Sequence, residues 1–98
     1  MYVVRPTRVE MLTEGPTQAE LDVIGKHFAY CQDLTQRGVA HLVGRTQNND
    51  ASTFGICVFN APDEDAAQAI LNGDPAVLEG VFRGELYPFM IALWSSPY

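Results

Sequence analysis

Asn72-Gly73-Asp74-Pro75-Ala76-Val77-Leu78-Glu79-Gly80 is the stretch on which the rest of the chain turns. Gly73 is a stop signal for the helix before it. Asp74-Pro75 then restarts a helix, with proline at the first position, where its missing N–H costs nothing. Gly80 closes that second helix after a single turn. The junction puts a carboxylate at a sharp, rigid corner. We expect Asp74 to meet His27, far away in sequence, and the pair to form the working site.

Reading backward from that corner, Asp63 is a good N-cap, with Pro62 before it and Glu64 and Asp65 in the first turn. Ala66, Ala67, Ile70 and Leu71 supply the packing face of a helix that ends at Gly73. Reading forward, residues 81–94 have the composition of a final strand. Phe82, Leu86, Met90 and Trp94 fall on one face and Val81, Tyr87, Phe89, Ile91 and Leu93 on the other. Both faces are apolar.

The earlier chain supplies the remaining elements. Residues 2–11 begin with Tyr2-Val3-Val4 and read as a first strand, interrupted or placed at an edge at Pro6, because proline cannot donate to a ladder. Thr17-Gln18-Ala19-Glu20 has the spacing of a capping box. Leu21, Ile24, Phe28, Cys31 and Thr35 then recur at helical intervals as one apolar stripe, and Gly38 ends the helix. His27 falls on the flank of that stripe, beside Ile24, Cys31 and Leu34. Tyr30 falls on the opposite side and reads as a surface or interface residue. Residues 39–44 and 53–59 read as two strands joined by a polar loop into an antiparallel hairpin.

The order is β-α-β-β-α-β, an α+β ferredoxin-like unit expected to form one domain over residues 1–98. Two helices cover one face of a four-stranded sheet. The second apolar face needs a cover, and a second copy of the chain is the economical one. The expected partner is therefore self, a homodimer formed through the sheet face.

Composition narrows the function. The formal charge is -6, with six Lys and Arg against twelve Asp and Glu. The few cations are scattered, which argues against nucleic acid and against an anionic membrane surface. Residues 1–5 are too short an apolar run for a signal peptide, and residues 89–94 cannot span a bilayer. Cys31 and Cys57 show no CxxC spacing and fit buried thiols in a reducing cytoplasm.

Lys26-His27-Phe28-Ala29-Tyr30, then Leu34, Gly38 and Val43-Gly44, followed by residues 73–82 and Tyr87-Pro88-Phe89, resemble the YCII-related family. The resemblance covers about residues 20 to 93. It implies a dimeric α+β barrel and a histidine–aspartate pair as the active site, here His27 and Asp74. One branch of that family resembles dehydrochlorinases acting on chlorinated hydroxyhydroquinones. Two positions depart from the family pattern: Ile24 stands where an arginine often precedes the histidine, and Arg45 where a proline is common after the second-strand glycine.

The plainer alternatives are an N-cap role for Asp74 and a hydrogen bond from His27 to a backbone carbonyl. One carboxylate oxygen can cap while the other reaches the imidazole. Arg8 and Arg45 are candidate anchors for an anionic or phenolate substrate. His41, Cys57 and His27 lack close ligand spacing, so no metal is expected, and proton transfer by the pair needs no organic cofactor; a haem- or metal-dependent member of the same architecture is a third alternative. The function expected is cofactor-independent chemistry on a small aromatic compound. The competing class is a non-catalytic ligand-binding or scaffold dimer of the same fold.

Overall fold

The computed structural model describes residues 1–96. The elements are β1 (Tyr2–Pro6), α1 (Glu10–Thr13), α2 (Gln18–Gln36), β2 (Ala40–Arg45), β3 (Gly55–Phe59), α3 (Glu64–Asn72), α4 (Pro75–Leu78) and β4 (Phe82–Leu86). The four strands form one antiparallel sheet in the order β2-β3-β1-β4, the ferredoxin-like arrangement.

Helix starts follow the local chemistry. Thr17 accepts from the Glu20 amide at 3.1 Å while Glu20 accepts from the Thr17 amide at 2.8 Å, the reciprocal capping box of α2. Asp63 caps α3 by accepting from the Ala66 amide at 2.8 Å. Gly38 and Gly80 both adopt φ +73°, which glycine enters without steric cost. Gly73 is a glycine for a different reason. Its φ is −80°, but a Cβ there would stand 2.8 Å from the Tyr30 hydroxyl oxygen. Close approach of α2 decides that position, not a left-handed turn.

Four expectations are corrected. The first strand stops at Pro6, and residues 10–13 turn into α1, which buries Met11. Strand β1 is central, not an edge. Its pairing with β3 ends at Val4–Gly55, so Pro6 has a strand neighbour only on the β4 side and its missing donor breaks no ladder. The last strand ends at Leu86, although apolar side chains recur through residues 81–94. Tyr87 and Met1 still exchange backbone hydrogen bonds, at 2.9 and 3.0 Å. Next in the chain, Pro88 has no N–H to donate to a ladder. Tyr30 is half-buried, with its hydroxyl donating to the Ile70 carbonyl at 2.6 Å.

The core lies between the sheet and the helices, around Tyr2, Val4, Leu34, Ala40, Cys57, Phe59 and Leu71. Full burial of a side chain such as Leu34 or Leu71 contributes about 1.5–3 kcal/mol. Packing is tightest under α3 and α4, where a Cβ on Gly84 would meet Leu71 Cδ1 at 2.5 Å and Val77 Cγ2 at 3.3 Å. Alternation along the strands places Val3, Leu42, Ile56 and Val58 on the opposite sheet face.

Candidate active site

Asp74 is fully buried at the N-cap of α4, and three donors converge on its carboxylate. Oδ1 accepts from the Ala76 amide at 2.9 Å. Oδ2 accepts from the Tyr2 hydroxyl at 2.8 Å and lies 2.6 Å from His27 Nδ1. The capping role and the histidine contact therefore coexist, one on each oxygen. His27 comes from the middle of α2, 47 positions earlier, and its side chain remains 17% exposed. The Phe82 ring from β4 stands edge-on to the imidazole, with centroids 5.1 Å apart and planes at 84°.

With Nδ1 committed to Asp74, Nε2 is the imidazole nitrogen left for other chemistry. His27 lines a cavity of about 690 Å³ between α2 and the sheet. Its walls are mostly apolar and include Ile24, Phe28, Phe54 and Phe82. Tyr2 and Cys31 add polar atoms beside the imidazole, and Arg45 lies at the β2 side. Two cavity-lining members of the α2 stripe remain conspicuously bare. Phe28 is 67% exposed and Leu21 48%, whereas Val23, Cys31 and Leu34 of the same helix are buried. Helix α2 packs on α4 and β2, and its open flank faces the cavity.

The family model described as the YCII-related domain matches residues 3–89. The chain belongs to the YCII-related family. No curated protein matches it. Among solved structures it is similar to a 5-chloro-2-hydroxyhydroquinone dehydrochlorinase from Burkholderia phenoliruptrix AC1100, solved in complex with 2,5-dihydroxybenzoquinone. The identity is 20%, the TM-score 0.56, and the match covers 90% of this chain and 94% of that one. At that identity the likeness establishes a shared fold.

In this YCII-related chain the electrostatics of the pair follow from its burial. Desolvation alone would drive His27 toward its neutral form. That is the largest single effect, but the hydrogen bonds to Asp74 and Cys31 and the charges of both groups together outweigh it, and the imidazole pKa is raised to about 9. At neutral pH the ring is therefore an imidazolium. Burial, and then the Asp74 and Cys31 charges, push the Tyr2 hydroxyl far up, so it remains a donor. Burial also raises Cys57 to about 12, which keeps that thiol protonated and a poor nucleophile.

Cys31 Sγ lies 4.0 Å from His27 Nδ1 and 3.9 Å from Nε2. A sulfur equidistant from both nitrogens does not lie along either nitrogen's lone pair. His27, Cys31 and Asp74 nevertheless offer ligand atoms within 4.8 Å of one another, close enough to hold an ion, while the 2.6 Å contact between Nδ1 and Asp74 Oδ2 is that of a hydrogen-bonded pair. His41 sits exposed at the β2 irregularity between Ala40 and Leu42, and it does not line the cavity.

The two candidate anchors separate. Arg45 lines the His27 cavity and donates from Nε to the Thr46 carbonyl at 3.1 Å. Arg8 does not line it. Its guanidinium forms a two-pronged pair with Glu20, at 2.7 and 3.0 Å, over a separate polar depression shared with Arg83. Hydrogen bonds from Arg8 hold the Glu20 carboxyl down at about 2. Tyr2 is the site residue that pattern reading treated only as strand. Its available signal was a polar tip on an otherwise aliphatic Val-Val run, because a buried tyrosine hydroxyl requires a partner.

Proposed function

We propose that this chain is a cofactor-independent enzyme using the His27–Asp74 dyad for proton transfer on a small oxygenated ring compound. The sharpest version is a lyase step, dehydrochlorination of a chlorinated hydroxyhydroquinone; isomerisation of a related ring is the nearest alternative chemistry. The observation that carries the reading is the 2.6 Å contact between His27 Nδ1 and a fully buried carboxylate, on the wall of an aromatic-lined cavity. The fold shared with the dehydrochlorinase supports it.

The protonated resting state is compatible with base catalysis. An imidazolium meeting a phenolate contains the same protons as an imidazole meeting a phenol, so the proton belongs to the pair. Asp74 orients the ring and stabilises its charged form, the part aspartate plays in hydrolytic triads. Chloride does not leave an aromatic carbon directly. A ring hydroxyl first loses its proton, and the carbon bearing chlorine takes one from the imidazolium. The resulting imidazole removes a second, conjugated hydroxyl proton as the C–Cl bond breaks. The products are a quinone, a chloride ion and a proton, and no external oxidant is consumed. Arg45 is the proposed anchor for a ring oxyanion.

Chloride release and quinone absorbance with a chlorohydroxyhydroquinone test the proposal. Replacing His27 with alanine is expected to reduce turnover by about 10³-fold, within the range typical of a general acid–base. An active His27→Ala protein overturns it.

A second reading is favoured by the charge state itself. An imidazolium in an apolar cavity binds phenolates well without transforming them. On that reading the same protein binds the ring compound and releases it unchanged.

The homodimer belongs to this proposal too. The sheet face bearing Leu42 and Ile56, and the apolar run at residues 89–94, are proposed to be covered by a second copy. Leu93 alone is 94% exposed. Light scattering that reports a single chain at micromolar concentration argues against it.

A further inference from the structure

Two donors share one oxygen of Asp74. His27 Nδ1 approaches Oδ2 at 2.6 Å and the Tyr2 hydroxyl at 2.8 Å. Tyr2 is 1% exposed and sits on the central strand, where pairing with Cys57 of β3 and Leu86 of β4 fixes its backbone on both sides. Its ring packs against Phe59, with centroids 5.9 Å apart. The hydroxyl is thus aimed by the sheet, while His27 arrives from α2 and Asp74 from the α3–α4 corner.

We propose that Tyr2 is a positioning residue for the dyad: its hydroxyl places the Asp74 carboxylate and regulates how firmly that carboxylate holds the His27 proton. The inference rests on the dyad being the working site. The physical reason is competition. Two donors to one oxygen weaken each other, because each withdraws the same lone-pair density. When His27 gives its proton away, the Tyr2 bond strengthens and stabilises the charge left on Asp74. Tyr2 therefore favours the neutral, basic imidazole. Without the hydroxyl, Asp74 has one strong donor fewer and keeps the imidazolium charged to higher pH.

Other titratable groups around this centre are few. Cys31 and Tyr30 face it from α2 and Cys57 from β3, while β4 presents the uncharged Phe82 ring. Lys26 pairs with Glu79 of the α4 C-cap at 3.8 Å on the exposed side. The Tyr2 hydroxyl also lies 3.6 Å from Cys31 Sγ, so thiol and phenol brace the same carboxylate–imidazole pair.

The chain contains two histidines, and His41 is exposed, so it serves as an internal reference. Proton NMR of the imidazole Cε1–H signals against pH reads both. In Tyr2→Phe, which keeps the ring packing, the His27 midpoint is expected to rise by about one unit, as loss of one hydrogen bond to a charged group implies. His41 is expected to stay put. Tyr30→Phe, which removes a hydroxyl bonded to Ile70 instead of to Asp74, is expected to leave both midpoints unchanged. Should Tyr2→Phe not fold, biosynthetic replacement of all tyrosines by 3-fluorotyrosine, a stronger donor of nearly the same shape, is expected to lower the His27 midpoint. An unmoved midpoint in Tyr2→Phe, or in the fluorinated protein, overturns the inference. That failure is distinct from an active His27→Ala protein, which removes the dyad's catalytic role and leaves the titration result standing.

Discussion

The two ends of the space between helices and sheet carry similar side chains and are treated oppositely. At the α3–α4 end, Leu71 and Val77 press so closely on β4 that Gly84 has no room for a Cβ. At the N-terminal half of α2, Leu21, Ile24 and Phe28 stand beside a cavity of about 690 Å³. Apolar surface left open in this way weakens the fold, since each bare side chain forgoes burial. The difference teaches where the molecule's stability and its proposed chemistry reside. The dyad sits at the boundary: Asp74 is anchored in the packed end, and His27 carries its reach into the open one.

Three measurements probe that contrast, taken from the largest expected effect down. Leu71→Ala in the packed end is expected to cost about 3 kcal/mol by chemical denaturation, as for other buried leucines truncated to alanine. A cost below about 1 kcal/mol would mean that the packed end is looser than its geometry implies.

The boundary is read by pH. His27 holds its proton at a pKa of about 9 when folded, against an ordinary value of 6.5. Its contribution to stability is fully present below about 6.5 and is lost as pH rises through about 9. The loss is on the order of 2 kcal/mol, taken as the difference between wild type and His27→Gln across that window. The Met1 ammonium, pushed below its ordinary 8.0 chiefly by burial, acts in the opposite direction and cancels in that difference. Parallel profiles for the two proteins would show that the His27–Asp74 contact contributes no net stabilisation.

The smallest stability effect is expected in the open end. Phe28→Ala removes a side chain that is 67% exposed and is expected to cost below about 1 kcal/mol. The same substitution is expected to weaken binding of a hydroxyquinone by several-fold in calorimetry. A large loss of stability with unchanged binding would reverse the assignment of that flank.

Much of the fold was legible because its signals are local. The Thr17–Glu20 box, the Asp63 cap and the Asp74-Pro75 restart each act within one turn, and each appears where residue chemistry puts it. The misreadings share one cause. Most of residues 87–94 have strand-like side chains, but a strand also requires ladder partners: β4 pairs with β1 over Phe82–Leu86, and Pro88 has no N–H to carry the ladder on. Phe28 has the spacing of a core residue, but burial depends on how closely α2 approaches the sheet. Arg8 has the chemistry of an anion anchor, yet Glu20 occupies it, a pairing set by where α1 turns.

By itself, then, the sequence determined the β-α-β-β-α-β order, the starts of α2, α3 and α4, the corner that immobilises Asp74 and the face of α2 that carries His27. These follow from hydrogen bonds and periodicities spanning a few residues. Only the tertiary structure decided that Tyr2 joins the same carboxylate, that the imidazole is held protonated, that Arg45 and not Arg8 borders the cavity, and that one flank of α2 stays open. Those outcomes depend on distances between segments remote in the chain, and on the burial that results when they meet.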